Sequence, residues 1–183
     1  MSSLTVYHVD SPDIPNKSLT HAEDITRTLA EHHVRFERWT ASTPIRPGAS
    51  EEDVINAYQQ RIDELKSQGG YMTVDVISVD DDHPQKAELR EKYLHEYRNG
   101  EDEVRFLVAG KALFSLHIED YVYAVLCEKD DLIAIPAGTR HWFDLGEHPY
   151  VVAIRLFNNA GDTPANFTGD AIAGRFPRLE DVV

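Results

Sequence analysis

Residues 103–157 read EVRFLVAGKALFSLHIEDYVYAVLCEKDDLIAIPAGTRHWFDLGEHPYVVAIRLF. Short β-branched and aromatic runs follow one another closely, at 104–108, 112–118, 122–127, 132–135, 141–145 and 150–157, with turn residues between them. Parallel strands need a helix-length crossover, and none fits in connections of a few residues. Six strands so joined predict a mainly β fold, an antiparallel sandwich or small barrel.

Working outward, the first half of the chain carries helical patterns. Thr20 and Glu23 read as a capping box, and Ala22, Ile25, Leu29 and Ala30 recur at helical spacing, which predicts a helix over 21–32. Ser50 and Asp53 open a second helix, whose stripe of Val54, Tyr58, Ile62 and Leu65 ends at the Gly69-Gly70 cap. Residues 34–39 and 71–79 are β-prone, and a short helix is expected over 85–93. After Asn158 the pattern weakens, and a C-terminal wrap over 158–183 is expected, with Phe167 and Phe176 as anchors. The whole chain, 1–183, reads as one domain: a helix-and-strand part to about residue 96, a barrel core over about 97–157, then the wrap.

Among 183 residues, 18 basic side chains face 32 acidic ones, a net charge of −14. Such a field repels phosphate backbones and anionic membranes, so the expected partner is a small molecule, with no nucleic acid and no membrane. Cys127 is the one cysteine; it provides neither an internal disulfide nor a thiolate cage, which fits a reducing, cytoplasmic setting. The longest apolar run, 121–127, is too short to span a bilayer. A monomer or weak oligomer is expected.

Two segments carry chemistry. In PAGTRH, residues 136–141, Pro136 and Gly138 shape a tight turn that projects His141 from the next strand. In GEDEVRF, residues 100–106, Glu103 opens a strand. A Glu and a His on facing strands of a small barrel converge inside it, a metal-site geometry. Cys127 reads as a small buried hydrophobe, His32-His33 as a helix end, and residues 80–82 as a solvated acidic turn; His117 can face either way by parity.

Glu103 with Gly110, followed by Pro136, Gly138 and His141, resembles the two motifs of the cupin barrel. More closely, GEDEVRF (100–106), LCEK (126–129), DLI (131–133), HWFD (141–144), AIRLF (153–157) and NFTG (166–169) resemble acireductone dioxygenase, the metal-dependent enzyme family of methionine salvage. The resemblance spans nearly the whole chain, from Val6-Tyr7-His8 onward. It implies a cupin-type barrel with N-terminal helices packed outside, and an iron or nickel centre. With O2, such a centre cleaves a 1,2-dihydroxy-3-keto-5-methylthiopentene. It also implies that Arg105 and Arg155 orient the anionic substrate and that Phe143, with Trp142 beside it, lines the pocket.

The family's metal is held by three histidines and a glutamate, two of the histidines in a His-x-His-Gly-Glu-Asp-Glu stretch. Here the stretch reads YRNGEDE, residues 97–103: Glu103 and His141 match, whereas Tyr97 and Asn99 stand at the other two ligand positions. A neutral amide is a weak oxygen donor, and tyrosine binds metal well only as phenolate. Three outcomes stay open. A metal is held by Tyr97, Glu103 and His141, with His95 recruited if residues 95–99 are extended; or the barrel is metal-poor and silent or a binder; or weak metal binding supports residual dioxygenase activity. A further alternative is an oxygenase or isomerase redirected to another small acid. Changes at Leu107, Lys111, Ala112 and 160–164 accompany the altered ligands.

Overall fold

A computed structural model of the chain describes residues 2–158 and 166–182. The altered stretch 160–164 lies outside them. Eleven strands are present: β1 (Ser3–His8), β2 (Pro15–Leu19), β3 (Arg35–Arg38), β4 (Thr73–Val79), β5 (Tyr97–Arg98), β6 (Glu103–Ile118), β7 (Tyr121–Glu128), β8 (Asp131–Ile135), β9 (Arg140–Asp144), β10 (Val151–Phe157) and β11 (Asn166–Phe167). The helices are α1 (Ala22–Ala30), α2 (Glu51–Ala57), α3 (Gln59–Gly69), α4 (Lys86–Tyr93) and α5 (Leu179–Val182). All strand pairs recorded are antiparallel.

The sequence predicts two strands where the structure has the single β6 of 16 residues. Gly110 bends this strand instead of breaking it. At φ +72°, a Cβ there would lie 1.7 Å from the Tyr150 carbonyl oxygen, so only glycine fits. The first half of β6 pairs with β8 and β10, and the second half with β7 and β9, so one strand belongs to both walls. Opposite Val152 and Ala153 the register skips Val108, a bulge that inverts side-chain parity. Odd positions up to Leu107 face the barrel interior, and beyond the bulge Ala112, Phe114 and Leu116 do.

Three apolar layers follow from this parity. The interior gathers Leu107, Phe114, Val125, Ile133, Phe143 and Ala153. On one outer face, Val104, Phe106 and Val108 meet Val54 of α2, Ile62 and Leu65 of α3, and Tyr58 between the two helices. On the other, Leu113, Val122 and Trp142 meet Ile172, Phe176 and Leu179 of the C-terminal segment. Phe176 is therefore an anchor of the wrap. Phe167 is 53% exposed and is not.

Local signals explain two of the helix ends. The Ser50 hydroxyl accepts from the Asp53 N–H at 3.1 Å, an N-cap. Gly70, at φ +69°, closes α3. The stripe expected as one helix is split at Tyr58, whose φ of −116° leaves the helical region while its buried hydroxyl reaches Thr43. The Thr20 capping box does not form: His21 precedes α1, and no side chain caps it.

Candidate functional site

Bulge parity and strand register bring the site together. Arg105 and Arg155 are cross-strand partners on β6 and β10, and Phe157 lies opposite Glu103. Tyr97 of β5 pairs with His141 of β9. Glu103, Arg105 and His141 are each at most 2% exposed.

Glu103 is the centre of this cluster. Its Oε1 accepts from Arg105 Nε at 3.3 Å and lies 3.7 Å from His141 Nε2. Its Oε2 accepts from the Asn99 side-chain amide at 2.8 Å and lies 3.8 Å from Arg155 Nη1. Burial favours the neutral acid, but the Arg105 charge, His141 and Arg155 outweigh it and hold the carboxyl down to about 2. Arg155 is clamped by Asp75 of β4, with Nε donating to Oδ1 at 2.9 Å and Nη2 to Oδ2.

His141 Nδ1 donates to the Thr139 carbonyl at 2.7 Å, which leaves Nε2 as the ring nitrogen that faces Glu103. That Nε2 and Arg105 Nη1 are buried without a hydrogen-bond partner among the described residues. The Tyr97 ring lies against the His141 ring, centroids 4.4 Å apart. Burial pushes the Tyr97 phenol well above its usual range, so it is a neutral phenol and not a phenolate. Phe143 is buried against Phe114 at 4.6 Å and Tyr93 at 5.4 Å, with the Arg105 guanidinium 5.0 Å from its ring centre. Trp142, one residue earlier, faces outward onto Phe176.

His95 is not brought to the cluster. A bend at this residue ends the alternation that an extended 95–99 would give, so Glu96 and Tyr97 are both buried and His95 is exposed. Its Nε2 meets Glu91 at 2.9 Å.

The donor set bears directly on a metal. Among the described residues no three His, Cys, Asp or Glu side chains are placed to hold an ion. His141 Nε2 and the Glu103 carboxylate are competent ligands. The two other positions are not, because Asn99 turns its amide N–H to Glu103 and Tyr97 is an un-ionised ring packed on His141. These residues do not fit a three-histidine, one-glutamate centre.

Two supporting groups escaped the sequence reading. Asp75 shows one signal, an acid at the inward position between Val74 and Val76, which face α2 and α3. The Thr139 carbonyl that sets the His141 tautomer leaves no mark in side-chain chemistry.

Residues 5–164 match the model of the ARD/ARD′ family. The chain belongs to the acireductone dioxygenase family. It is 72% identical to an acireductone dioxygenase of Pseudomonas syringae pv. tomato, over 99% of this chain and 100% of that protein. A Pseudomonas fluorescens acireductone dioxygenase is 70% identical over the same shares. The fold matches a solved acireductone dioxygenase from Bacillus anthracis, with a cadmium ion in its active centre, at TM-score 0.79 and 26% identity, covering 91% of this chain and 98% of that one. The mainly β cupin fold expected from the sequence is thus the family's own. Among the described residues no helix is long and apolar enough to cross a membrane.

Proposed function

We propose that this chain binds an acireductone-class small molecule, an enediol with an adjacent keto group, inside the barrel, and that it has lost the metal-dependent cleavage of that molecule by O2. One observation carries the reading: the side chains at the two altered ligand positions are turned onto the two that remain, Asn99 onto Glu103 at 2.8 Å and Tyr97 onto His141 at 4.4 Å. The substrate side supports retained binding. Arg105 has a donor free at Nη1, Arg155 is held in place by Asp75, and Phe143 closes an apolar wall. A guanidinium fixed in a dry interior is suited to the oxygens of an enediolate. A single buried cysteine supports a reducing cytoplasmic setting.

A second reading rests on His141 Nε2. It is buried without a hydrogen-bond partner among the described residues, 3.7 Å from a Glu103 carboxylate oxygen, two donors that would hold iron or nickel only weakly.

Elemental analysis for iron, nickel, cobalt, manganese and zinc separates the two, alongside O2 uptake with an enediol substrate. The expected result is metal far below one equivalent and no O2 uptake in the unaltered chain, with about one equivalent gained by the Tyr97→His/Asn99→His double variant. Near-stoichiometric metal with O2 consumption in the unaltered chain overturns the proposal. Binding of an enediol analogue without added metal, lost in Arg105→Ala, tests the pocket itself.

A further inference from the structure

A cleft of 260 Å³ opens where the β6–β7 turn, the β8–β9 loop and the end of α1 meet, lined by His32, His117, Glu119, Thr139 and Arg140 among others. His117 and Arg140 are register partners on β6 and β9, one position beyond the Leu116–His141 pair and so of opposite parity to it. They belong to the outer side of the wall whose inner side carries His141.

The cleft has a built wall. Glu96, 2% exposed, accepts from His117 Nδ1 at 2.6 Å and from the Thr168 hydroxyl at 2.7 Å, and the Thr168 N–H returns to the Glu96 carbonyl at 3.1 Å. The His117 ring is thereby fixed, with Nε2 the one ring nitrogen left for a ligand. Arg140 carries a permanent charge, and its side chain has no hydrogen-bond or ion-pair partner among the described residues, in a chain with 32 acids. At the edge, His32 Nε2 meets the Tyr123 hydroxyl at 2.8 Å.

We propose that this cleft is a second ligand site, which binds a small oxyanion that still carries a proton, such as hydrogen phosphate, its oxygens accepting from Arg140 and its O–H donating to His117 Nε2. The net charge of −14 does not forbid it, because the Debye length near 8 Å at physiological salt leaves the local groups in control. Of those, Glu119, exposed at the cleft, and Glu96, buried behind His117, are the acids that oppose binding. The volume suits a small anion and is below that of ordinary drug-sized pockets. Its floor also reaches the barrel: the Thr139 carbonyl in this loop accepts from His141 Nδ1, so an anion seated here perturbs the histidine on the far side of the wall.

The test is an NMR titration of the isotopically labelled full chain at neutral pH with inorganic phosphate, and separately with acetate, each against sodium chloride at matched ionic strength. Saturable shifts at the Arg140 side chain, His117 and residues 137–141 are expected, with a Kd of about a millimolar. Arg140→Gln weakens that Kd about tenfold and Glu119→Gln tightens it about threefold; the second variant keeps the test decisive if the first disturbs β9. Saturation by phosphate at concentrations where acetate does not saturate is expected, because acetate has no proton to give His117 Nε2, and saturation by acetate as tight as by phosphate overturns the proposal. Shifts reproduced by chloride, no saturation by either anion, or a Kd indifferent to both substitutions overturns the proposal. None of these outcomes depends on what the barrel holds.

Discussion

Glu103 remains a carboxylate in a place where burial alone would make it an acid, and the guanidiniums beside it are the reason. Removing Arg105 therefore costs more than its own contacts. Arg105→Met leaves a buried carboxylate with one fewer counter-charge, and a loss of roughly 3–5 kcal/mol is expected from urea unfolding. Adding Glu103→Gln restores part of it, because the two losses share one interaction. Strictly additive losses would show that the pair is not coupled. Glu103 and His141 were legible as a Glu and a His at motif spacing on strands, whereas Arg105 and Arg155 were legible only through the family resemblance. The partners that complete the site were not. Asp75 lies 80 residues from Arg155 in sequence, and the Thr139 link is a backbone carbonyl, so neither spacing nor composition announces them.

At the scale of elements, glycine and caps decide where strands and helices turn. Gly110→Ala combines a positive φ with a Cβ placed 1.7 Å from the Tyr150 oxygen, so β10 must shift away from β6. The expected cost is about 3 kcal/mol, read from thermal or urea unfolding. Ser50→Ala removes a hydroxyl that caps an exposed helix end and should cost only about 1 kcal/mol. If the two variants unfold alike, β6 does not depend on the bend. The six strand segments that make up the five strands β6 to β10, and three helical regions, were readable in the sequence, but the joining of two segments into β6 was not. A glycine between two β runs reads as a turn, and only the pairing of both halves with neighbouring strands makes it a bend inside one strand. The short β5 and β11, two residues each, carry no periodicity at all. The condition for recruiting His95, an extended 95–99, fails for a related reason, since a local bend resets alternation without a sequence signal.

Across the whole molecule, the C-terminal segment is held to the barrel by apolar packing and by hydrogen bonds to buried carboxylates, Glu96 and Asp144. Phe176 packs on Tyr7 and Trp142, and Phe176→Ala should cost roughly 3 kcal/mol. Asp144, 2% exposed at the end of β9, gathers three separate elements. Its Oδ1 and Oδ2 accept from Arg90 of α4 at 2.8 and 3.1 Å, while Oδ2 also accepts from the Leu179 N–H that begins α5, at 2.8 Å, and Oδ1 from Gly146 at 2.9 Å. Burial favours the protonated acid, but the Arg90 hydrogen bonds and the two backbone donors outweigh it and hold this carboxyl below the usual aspartate range. The sign of the linkage follows. An aspartate ionises at about 3.9 when unfolded, so a lower folded value contributes stability that is fully present above that pH and is lost as pH falls through the folded value. Asp144→Asn keeps the shape but removes the charge, so it should be less stable than the unaltered chain at pH 7, and the difference should shrink steadily below about pH 4. Unfolding free energies of both chains across that range supply the check. A difference that stays constant with pH would mean that Asp144 holds the segment through shape alone, and that its charge contributes nothing to closing the barrel's outer face.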